Sequence, residues 1–236
     1  MKSRLLVLLS LSLFLSSAYA ADEPVGDPWE SVNRQVFAFN EGVDRYFVRP
    51  IAKGYRWLVP DPVERSLSRF VSNIGEVNNV FNAVLQGSPE GVVNGTGRFL
   101  INSTVGLAGL FDVASSIGLE HTPTDFGQTL YVWGVDSGPF VVLPVLGPRT
   151  LRGGAGAAVD SLATLPYALN EYSEVWGYYG LELVDTRSRL LDAEELISGD
   201  KYIFTRNAYL QRRQYFLSGE VQDSFSDYEE EDFEDF

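Results

Sequence analysis

Hydrophobic residues in the first third of the chain recur at helical spacing. The clearest series alternates steps of four and three residues and consists of Val63, Leu67, Phe70, Ile74, Val77, Phe81 and Val84. An earlier series with steps of three or four consists of Trp29, Val32, Val36, Phe39, Val43 and Phe47. Such spacing places the apolar side chains on one face, so both series predict amphipathic helices.

A helix start signal stands at the head of each series. Asp27-Pro28-Trp29-Glu30 and Asp61-Pro62-Val63-Glu64 both place Pro after an Asp that can cap, and Glu three residues beyond that Asp. Ser88-Pro89 signals a third start. We therefore expect helices to open at these three points, with Asp27 and Asp61 as caps.

The pattern changes around residues 129–148. An aromatic and β-branched run, Thr129 to Trp133, is followed by the glycine-flanked turn Gly134 to Gly138 and a second run, Pro139 to Pro144. These features predict an irregular hairpin or long loop. Two more helices are expected at about 171–197 and 200–217.

The stretch from Phe99 to Leu119 is apolar and carries a single charge, Asp112. A membrane-spanning helix is the alternative interpretation, but three glycines and several polar residues interrupt the stretch. We predict short helices that are buried or lie within an interface, with Asp112 paired to an arginine such as Arg98 or facing a lumen.

The two ends of the chain differ in composition from its body. Residues 1–20 combine a basic start, a leucine-rich run and the small residues Ala18 and Ala20, which predicts a signal peptide cleaved between Ala20 and Ala21. Residues 220–236 hold nine acids and no base, which predicts a disordered acidic tail. The fold expected between them is a single, mostly helical domain at 21–219.

Composition excludes several classes of function. The body contains 16 basic and 23 acidic residues, a balance that argues against nucleic acid as a partner. The chain has no cysteine and one histidine, His121, so neither a metal site nor a cofactor is expected. Its 45% apolar and 13% aromatic content predicts a packed, aromatic-rich body.

An ordered series of motifs resembles the MlaA family, also called VacJ. It covers about residues 27–215 and consists of Asp27-Pro28-Trp29-Glu30, Asn33-Arg34, Phe39-Asn40, Arg49 to Tyr55, Leu85-Gln86-Gly87, Gly97-Arg98-Phe99, Asn102 to Gly106, Phe111 to Ala114, Asp125 to Leu130, Gly134 to Pro139, Leu143-Pro144, Leu146-Gly147-Pro148 and Arg206 to Tyr209.

The resemblance implies a ring-like helical domain on the periplasmic side of the outer membrane, seated in its inner leaflet beside a trimeric porin. Phospholipids misplaced in the outer leaflet would descend through an amphipathic channel to a soluble periplasmic lipid carrier, which maintains lipid asymmetry.

Two departures from the family pattern stand out. Typical members are lipoproteins with a cysteine at the cleavage site, where this chain has Ala21, so we expect no usual N-terminal lipidation. The family's Arg-Asp-Gly and Asp-Pro-Tyr stretches read Arg152-Gly153-Gly154 and Asp200-Lys201-Tyr202 here.

Candidate channel residues come from the turn and the first helix. Gly134 and Gly138 could gate a lumen or simply provide positive φ angles. Asn33 and Asn40 lie seven residues apart on one helical face, where they could line a wet channel or form hydrogen bonds within the core. Asp112 is the third lumen candidate.

Candidate contacts with a headgroup or an acidic carrier are Arg206, Arg212 and Arg213, for which ordinary salt bridges are the alternative. The acidic tail is a candidate tether for a basic partner. Two rival functions stay open: a soluble periplasmic lipid carrier, and a lipid hydrolase centred on His121 and Asp125, for which no nucleophile is evident.

Overall fold

The computed structural model describes residues 26–163, 172–192, 194, 197 and 199–218, with the backbone alone at 163, 172–176 and 218. The predicted cleavage site at Ala20 and Ala21 and the acidic tail lie outside these residues. What is described is mostly α-helical, as predicted, with one two-stranded sheet.

The described residues begin with two helices joined by a π-helical turn. Helix α1 spans Glu30–Val43, a π-helical turn spans Asp44–Val48, and α2 spans Arg49–Leu58. The prediction that Asp27 caps α1 is wrong, since the cap position is Trp29. The Asp27 carboxylate instead accepts hydrogen bonds from Asn33 Nδ2, at 2.8 Å, and from the Tyr202 hydroxyl.

Helices α3 and α4 form the centre of the fold. Helix α3 spans Asp61–Leu85 and begins one residue earlier than predicted, so Asp61 lies in its first turn rather than capping it. A carboxylate there still stabilises the helix, because it interacts favourably with the positive N-terminal end of the helix dipole. Helix α4 spans Pro89–Thr104, and the Ser88 hydroxyl caps it by accepting a hydrogen bond from the Gly91 amide at 3.2 Å.

The apolar stretch after Phe99 is broken as predicted. Helix α4 ends at Thr104, turns follow, and the short α5 spans Val113–Ser116 with Asp112 as its cap. Gly109 has a φ of 92°, and a Cβ there would lie 2.5 Å from that of Asn73. Within the described residues, no helix combines the length and apolar character needed to cross a bilayer.

The hairpin lies further along the chain than predicted. Thr129 to Trp133 does not form a strand, because α6 spans Phe126–Val132 and is capped by Asp125, whose carboxylate accepts from the Gln128 amide at 2.7 Å. Strand β1, Phe140–Leu143, pairs antiparallel with β2, Gly147–Thr150. Gly134 to Gly138 is therefore a helix-to-strand connection rather than the hairpin turn.

Three more helices lie in the described part of the C-terminal half. Helix α7 spans Leu151–Ala163, α8 spans Tyr172–Arg189 and α9 spans Lys201–Ser218. Helix α8 ends earlier than the predicted 171–197. The start of α9 matches the prediction, and Asp200 accepts from the Tyr202 amide at 2.9 Å.

The buried core is small and largely polar. Among the described residues, seven apolar side chains are buried, against thirteen polar or charged ones. Most of the aromatic side chains expected from composition lie outside this core, where Phe140 and Tyr202 are the buried aromatic side chains in the described part of the chain. They form a cluster with Val142 at the α1, β1 and α9 junction.

Candidate functional site

The long helix α3 turns its polar face inward. Asn73, Glu76, Asn79 and Asn82 are 5%, 1%, 8% and 0% exposed. They occur at every third position, a spacing that keeps their side chains on one side of the helix. The apolar series that predicted this helix is not the buried face: Val63, Phe81 and Val84 are 48%, 40% and 59% exposed, and the other four members are half-buried.

Large apolar side chains cover much of the outside. We call these residues the outward apolar surface; those on α1 to α5 and their connections include Val32, Phe39, Tyr46, Phe47, Ile51, Trp57, Leu58, Phe81, Val84, Val93, Leu100, Val105, Leu107 and Ile117. Soluble proteins expose apolar residues singly rather than in such numbers. A polar interior beneath an apolar exterior is suited to apolar surroundings.

The first interior polar cluster joins α3 to α4. Glu76 Oε1 accepts hydrogen bonds from Arg98 Nε at 2.7 Å and lies 2.8 Å from His121 Nδ1, while Oε2 accepts from Asn79 Nδ2 at 2.8 Å. Burial raises the pKa of Glu76, but the hydrogen bonds from His121, Asn79 and Arg98 outweigh it and lower the pKa. The carboxylate is therefore held ionised inside the fold.

Asp112 forms the ion pair with Arg98 that the sequence predicted, with both carboxylate oxygens 3.3 Å from Nη2. Its Oδ1 also accepts from Asn102 Nδ2 at 3.0 Å, and its Oδ2 from the Ser115 hydroxyl at 2.6 Å. These contacts tie α4 to α5, and a role for Asp112 in a lumen stays a prediction.

A second interior cluster joins α3 to α6 and α7. The Asp160 carboxylate accepts from Asn82 Nδ2 at 3.0 Å and from the Phe126 amide at 2.9 Å. Asn82 Oδ1 accepts in turn from the Thr129 hydroxyl at 2.7 Å. Burial raises the pKa of Asp160.

A third cluster joins α3 to α8. Asp185 is 1% exposed and accepts from the Ser68 hydroxyl at 2.7 Å, and the Ser188 hydroxyl donates to Glu64 at 2.6 Å. About one and two turns away on α8, burial raises the pKa values of Glu182 and Tyr178. The interior is thus lined with polar groups along α3, an arrangement able to solvate a polar ligand group.

The two asparagines of α1 bind strand β1. Asn33 Nδ2 donates to the Phe140 carbonyl at 3.1 Å, and the Val142 amide donates to Asn33 Oδ1 at 2.9 Å. Asn40 repeats the arrangement with the Leu143 carbonyl at 2.9 Å and the Val145 amide at 2.8 Å. These contacts match the alternative of hydrogen bonds within the core; the channel-lining role stays a prediction.

The Gly134 to Gly138 connection has the positive φ angles predicted for its glycines, 83° and 65°. Arg152 holds this connection through two hydrogen bonds, a role that the sequence did not predict. The Arg152 side chain donates to the Val135 carbonyl at 2.7 Å, and its amide donates to the Ser137 carbonyl at 3.0 Å. Its guanidinium also lies 5.0 Å from the centre of the Tyr131 ring.

The three candidate arginines of α9 do not form one site. Arg206 Nε lies 3.7 Å from Asp27, and Arg213 forms a bidentate pair with Asp125, with one N to O distance of 2.8 Å. These are the salt bridges weighed as the alternative. Arg212 is exposed and lies 5.3 Å from the Phe216 ring, so it is the member placed to meet a partner.

The groups proposed for a hydrolase have other partners. His121 contacts Glu76, whereas Asp125 is paired with Arg213 and caps α6. Over the described ranges, no three His, Cys, Asp or Glu residues are grouped to hold a metal ion.

Comparison with known proteins identifies the family of this chain. A family model described as "MlaA lipoprotein" matches residues 25–216. The chain belongs to the MlaA family. The intermembrane phospholipid transport system lipoprotein MlaA of Shigella flexneri is 39% identical over 229 residues, which cover 93% of this chain and 90% of that protein.

A second MlaA relative and a solved structure are also similar to this chain. MlaA of Haemophilus influenzae, which carries the same description, is 34% identical over 197 residues, covering 80% of this chain and 78% of its own length. A structure solved in work on the maintenance of bacterial outer membrane lipid asymmetry matches with a TM-score of 0.71 and 38% identity, over 81% of this chain and 99% of that one. The relatives are named lipoproteins, and this chain contains no cysteine.

Proposed function

We propose that this chain is the outer-membrane component of an intermembrane phospholipid transport system. It removes mislocalised phospholipids from the outer leaflet and passes them on, which maintains the asymmetry of the membrane. The observation that carries the proposal is the inverted burial of an MlaA-family fold, with Asn73, Glu76, Asn79 and Asn82 inside and the outward apolar surface around them.

This arrangement suits a protein that lies in one leaflet. Short amphipathic helices can embed their apolar faces in the acyl region without crossing the bilayer. The polar interior then offers hydrogen-bonding groups to a phospholipid headgroup, for which entry into hydrocarbon is costly. Passive transport of this kind requires no covalent chemistry, so we assign no catalytic residue.

The finer assignments belong to the same proposal. We place the chain on the periplasmic side of the outer membrane, beside a trimeric porin, with a soluble periplasmic lipid carrier as acceptor. Arg212 on α9 and the acidic tail at 220–236 are the proposed contacts with partners, and Gly134 and Gly138 the proposed gate. Asn33, Asn40 and Asp112 stay proposed channel residues, and their hydrogen bonds also join neighbouring segments of the fold.

A deletion experiment in the bacterium that carries the gene tests the function. Outer-leaflet phosphatidylethanolamine is labelled on intact cells with an amine reagent that does not cross membranes. Deletion should raise the labelled fraction, and a plasmid copy should restore it. Labelling that is unchanged by deletion, in cells whose other envelope lipids are normal, would overturn the proposal.

Membrane fractionation separates this function from the soluble-carrier alternative. We expect the chain in the outer-membrane fraction together with porin and the carrier after mild crosslinking. Recovery as a free periplasmic protein with one bound phospholipid per chain would establish the carrier instead. Crosslinking with and without residues 220–236 tests the tail, whose loss should weaken capture of the carrier.

A further inference from the structure

A groove of about 600 Å³ lies between α2 and the residues that follow α8. Its walls carry Arg49, Lys53, Arg56 and Trp57 from α2, with Asp192 and Glu194 opposite. A second groove, of about 530 Å³, shares Arg56 and Asp192 with the first. The two grooves hold six of the 18 lysines and arginines of a chain whose net charge is −14. Beside these six cations the two grooves hold four acids, Asp61, Glu64, Asp192 and Glu194, so their lining is net positive, opposite in sign to the chain as a whole.

Cations already compensate the negative charge of Glu194, one of the acidic residues that line the first groove. Burial raises the pKa of Glu194, but hydrogen bonds from Arg49, Lys201 and Arg187 outweigh it and lower the pKa to about 2. Glu194 Oε1 lies 2.9 Å from Lys201 Nζ, and its Oε2 lies 2.6 Å from Arg187 Nη2. Because these cations surround it, Glu194 does little to repel an anion in the groove.

The cations at the rim are available to a ligand. Lys53 is exposed and forms no ion pair with any residue that the structure describes. Arg56 pairs with Asp192 at 2.8 Å, where the two side chains are 41% and 78% exposed. Exposed pairs of this kind contribute little stability, so an anion of better geometry can displace Asp192.

The other side of α2 is apolar and open. Ile51 and Leu58 are 57% and 73% exposed. At 100° per residue they point away from the face that carries Arg49, Lys53 and Arg56, and Trp57, 86% exposed, lies between the two faces. Around α2 the cations are thus followed by an aromatic ring and then by aliphatic side chains. Side chains that pass from the headgroup layer of a membrane into its acyl chains follow the same order.

We propose that this groove binds the phosphodiester of a phospholipid. Lys53 and Arg56 contact the phosphate oxygens, Trp57 lies against the glycerol region, and Ile51 and Leu58 meet the acyl chains. The choice of a phospholipid as the ligand rests on the proposed function. The charge and shape of the groove are features of the structure and are independent of that proposal. The volume is within the range of sites that hold small molecules.

The test uses the full chain in a non-ionic detergent, titrated calorimetrically with dihexanoylphosphatidylglycerol and, separately, with inorganic phosphate. We expect the short-chain lipid to bind more tightly than phosphate. Lys53→Glu should weaken lipid binding about tenfold or more, because it removes a charge-assisted hydrogen bond and adds repulsion. Lys53→Arg, which keeps the charge, should stay within about twofold of the original chain.

Arg69→Glu is the matched control. Arg69 is exposed, lies in the neighbouring groove and has no ion pair among the described residues, so the substitution makes a similar charge change nearby. We expect it to leave lipid affinity within about twofold. An equal loss in both variants would mean a diffuse electrostatic effect and would overturn the site.

Other outcomes are equally decisive. Equal affinity for phosphate and lipid would make the groove a site for free anions and overturn the lipid assignment, as would an absence of lipid binding by the original chain. Unfolding midpoints of the variants, compared with the original, show whether folding is intact. If the chain restores cellular lipid asymmetry but binds no lipid in this titration, the groove proposal is overturned and the proposed function stands. If it binds lipid in the groove but does not restore asymmetry, the proposed function is overturned and the groove stands.

Discussion

At the scale of single residues, Asp112 shows how this interior keeps a charge. Its carboxylate accepts hydrogen bonds from Asn102, the Ser115 hydroxyl and the Ser115 amide, and both oxygens face Arg98. Burial raises the pKa of Asp112, but these hydrogen bonds and the Arg98 charge outweigh it and lower the pKa from 3.8 to about 2. The ionised form is therefore the one that stabilises the fold.

Because the folded-state pKa of Asp112 is depressed, its contribution is present above the unfolded pKa and is lost as pH falls through the folded value. We expect Asp112→Asn, which keeps the cap, to cost about 1 to 2 kcal/mol of unfolding free energy at pH 7. The difference from the original chain should shrink between about pH 5 and pH 2. Chemical unfolding in detergent at several pH values measures it; a pH-independent difference would contradict the assignment.

Asn33 and Asn40 form a matched pair for a second prediction. Asn33→Ala leaves the Val142 amide and Phe140 carbonyl without partners in the core, which should cost about 2 to 4 kcal/mol. Asn40→Ala should cost less than about 1 kcal/mol, since water can reach the Val145 amide. Equal losses of unfolding free energy would show that both sites are equally wet, as channel lining requires.

The sequence predicted some single contacts and missed others. The pairing of Asp112 with Arg98 followed from there being one charge in an apolar stretch. The burial of Glu76 did not, because the apolar series on α3 is the familiar mark of a buried face. The polar residues at every third position from Asn73 to Asn82 were the available signal, and their meaning depended on which face met the surroundings.

At the scale of elements, helix starts were predicted better than the hairpin. Ser88 caps α4 as expected, whereas Thr129 to Trp133, rich in β-branched and aromatic residues, became part of α6. Asp125 caps the helix by accepting a hydrogen bond from the Gln128 amide, and Thr129 bonds to Asn82 on α3, which together override the strand propensity of this run. The cap was available as a local signal, since Gln128 follows Asp125 at the spacing of a capping box, whereas the contact with Asn82 is not visible in a local sequence pattern.

The Gly134 to Gly138 connection carries a third prediction. Alanine at both glycines is strained by their positive φ angles, at roughly 1 to 2 kcal/mol each. If the connection gates transport, the double variant should also slow the removal of outer-leaflet phospholipid by more than its loss of folded protein explains. Unchanged transport with normal folding would exclude the gate.

Gly42→Ala is the control for that variant. Gly42 lies inside α1, and a Cβ there would meet no atom within 4 Å. Alanine should therefore be neutral or stabilise the helix by about 0.5 to 1 kcal/mol. Labelling of outer-leaflet phosphatidylethanolamine in the two strains compares transport directly.

At the scale of the whole molecule, the outward apolar surface predicts how the chain is retained. Phe47 and Phe81 are 66% and 40% exposed, and burying a Phe side chain in acyl chains contributes about 1.5 to 3 kcal/mol. The double variant Phe47→Asp with Phe81→Asp should shift a measurable share of the chain from the membrane to the soluble fraction.

Gln35→Asp with Thr96→Asp adds the same two charges at exposed polar positions. We expect this control to stay in the membrane fraction. Release of both variants to the same extent would mean that net charge, rather than the apolar surface, governs retention.

The inverted burial also has a consequence for how the chain acquires its structure. In water, folding is driven mainly by removing apolar surface from solvent, and this fold leaves much of that surface outside. The native state therefore gains less from folding in an aqueous compartment than a soluble domain of equal length would. On the proposed placement in the membrane, lipid stabilises the folded form, so that insertion and folding are thermodynamically linked. The bilayer would then serve this chain as a folding cofactor.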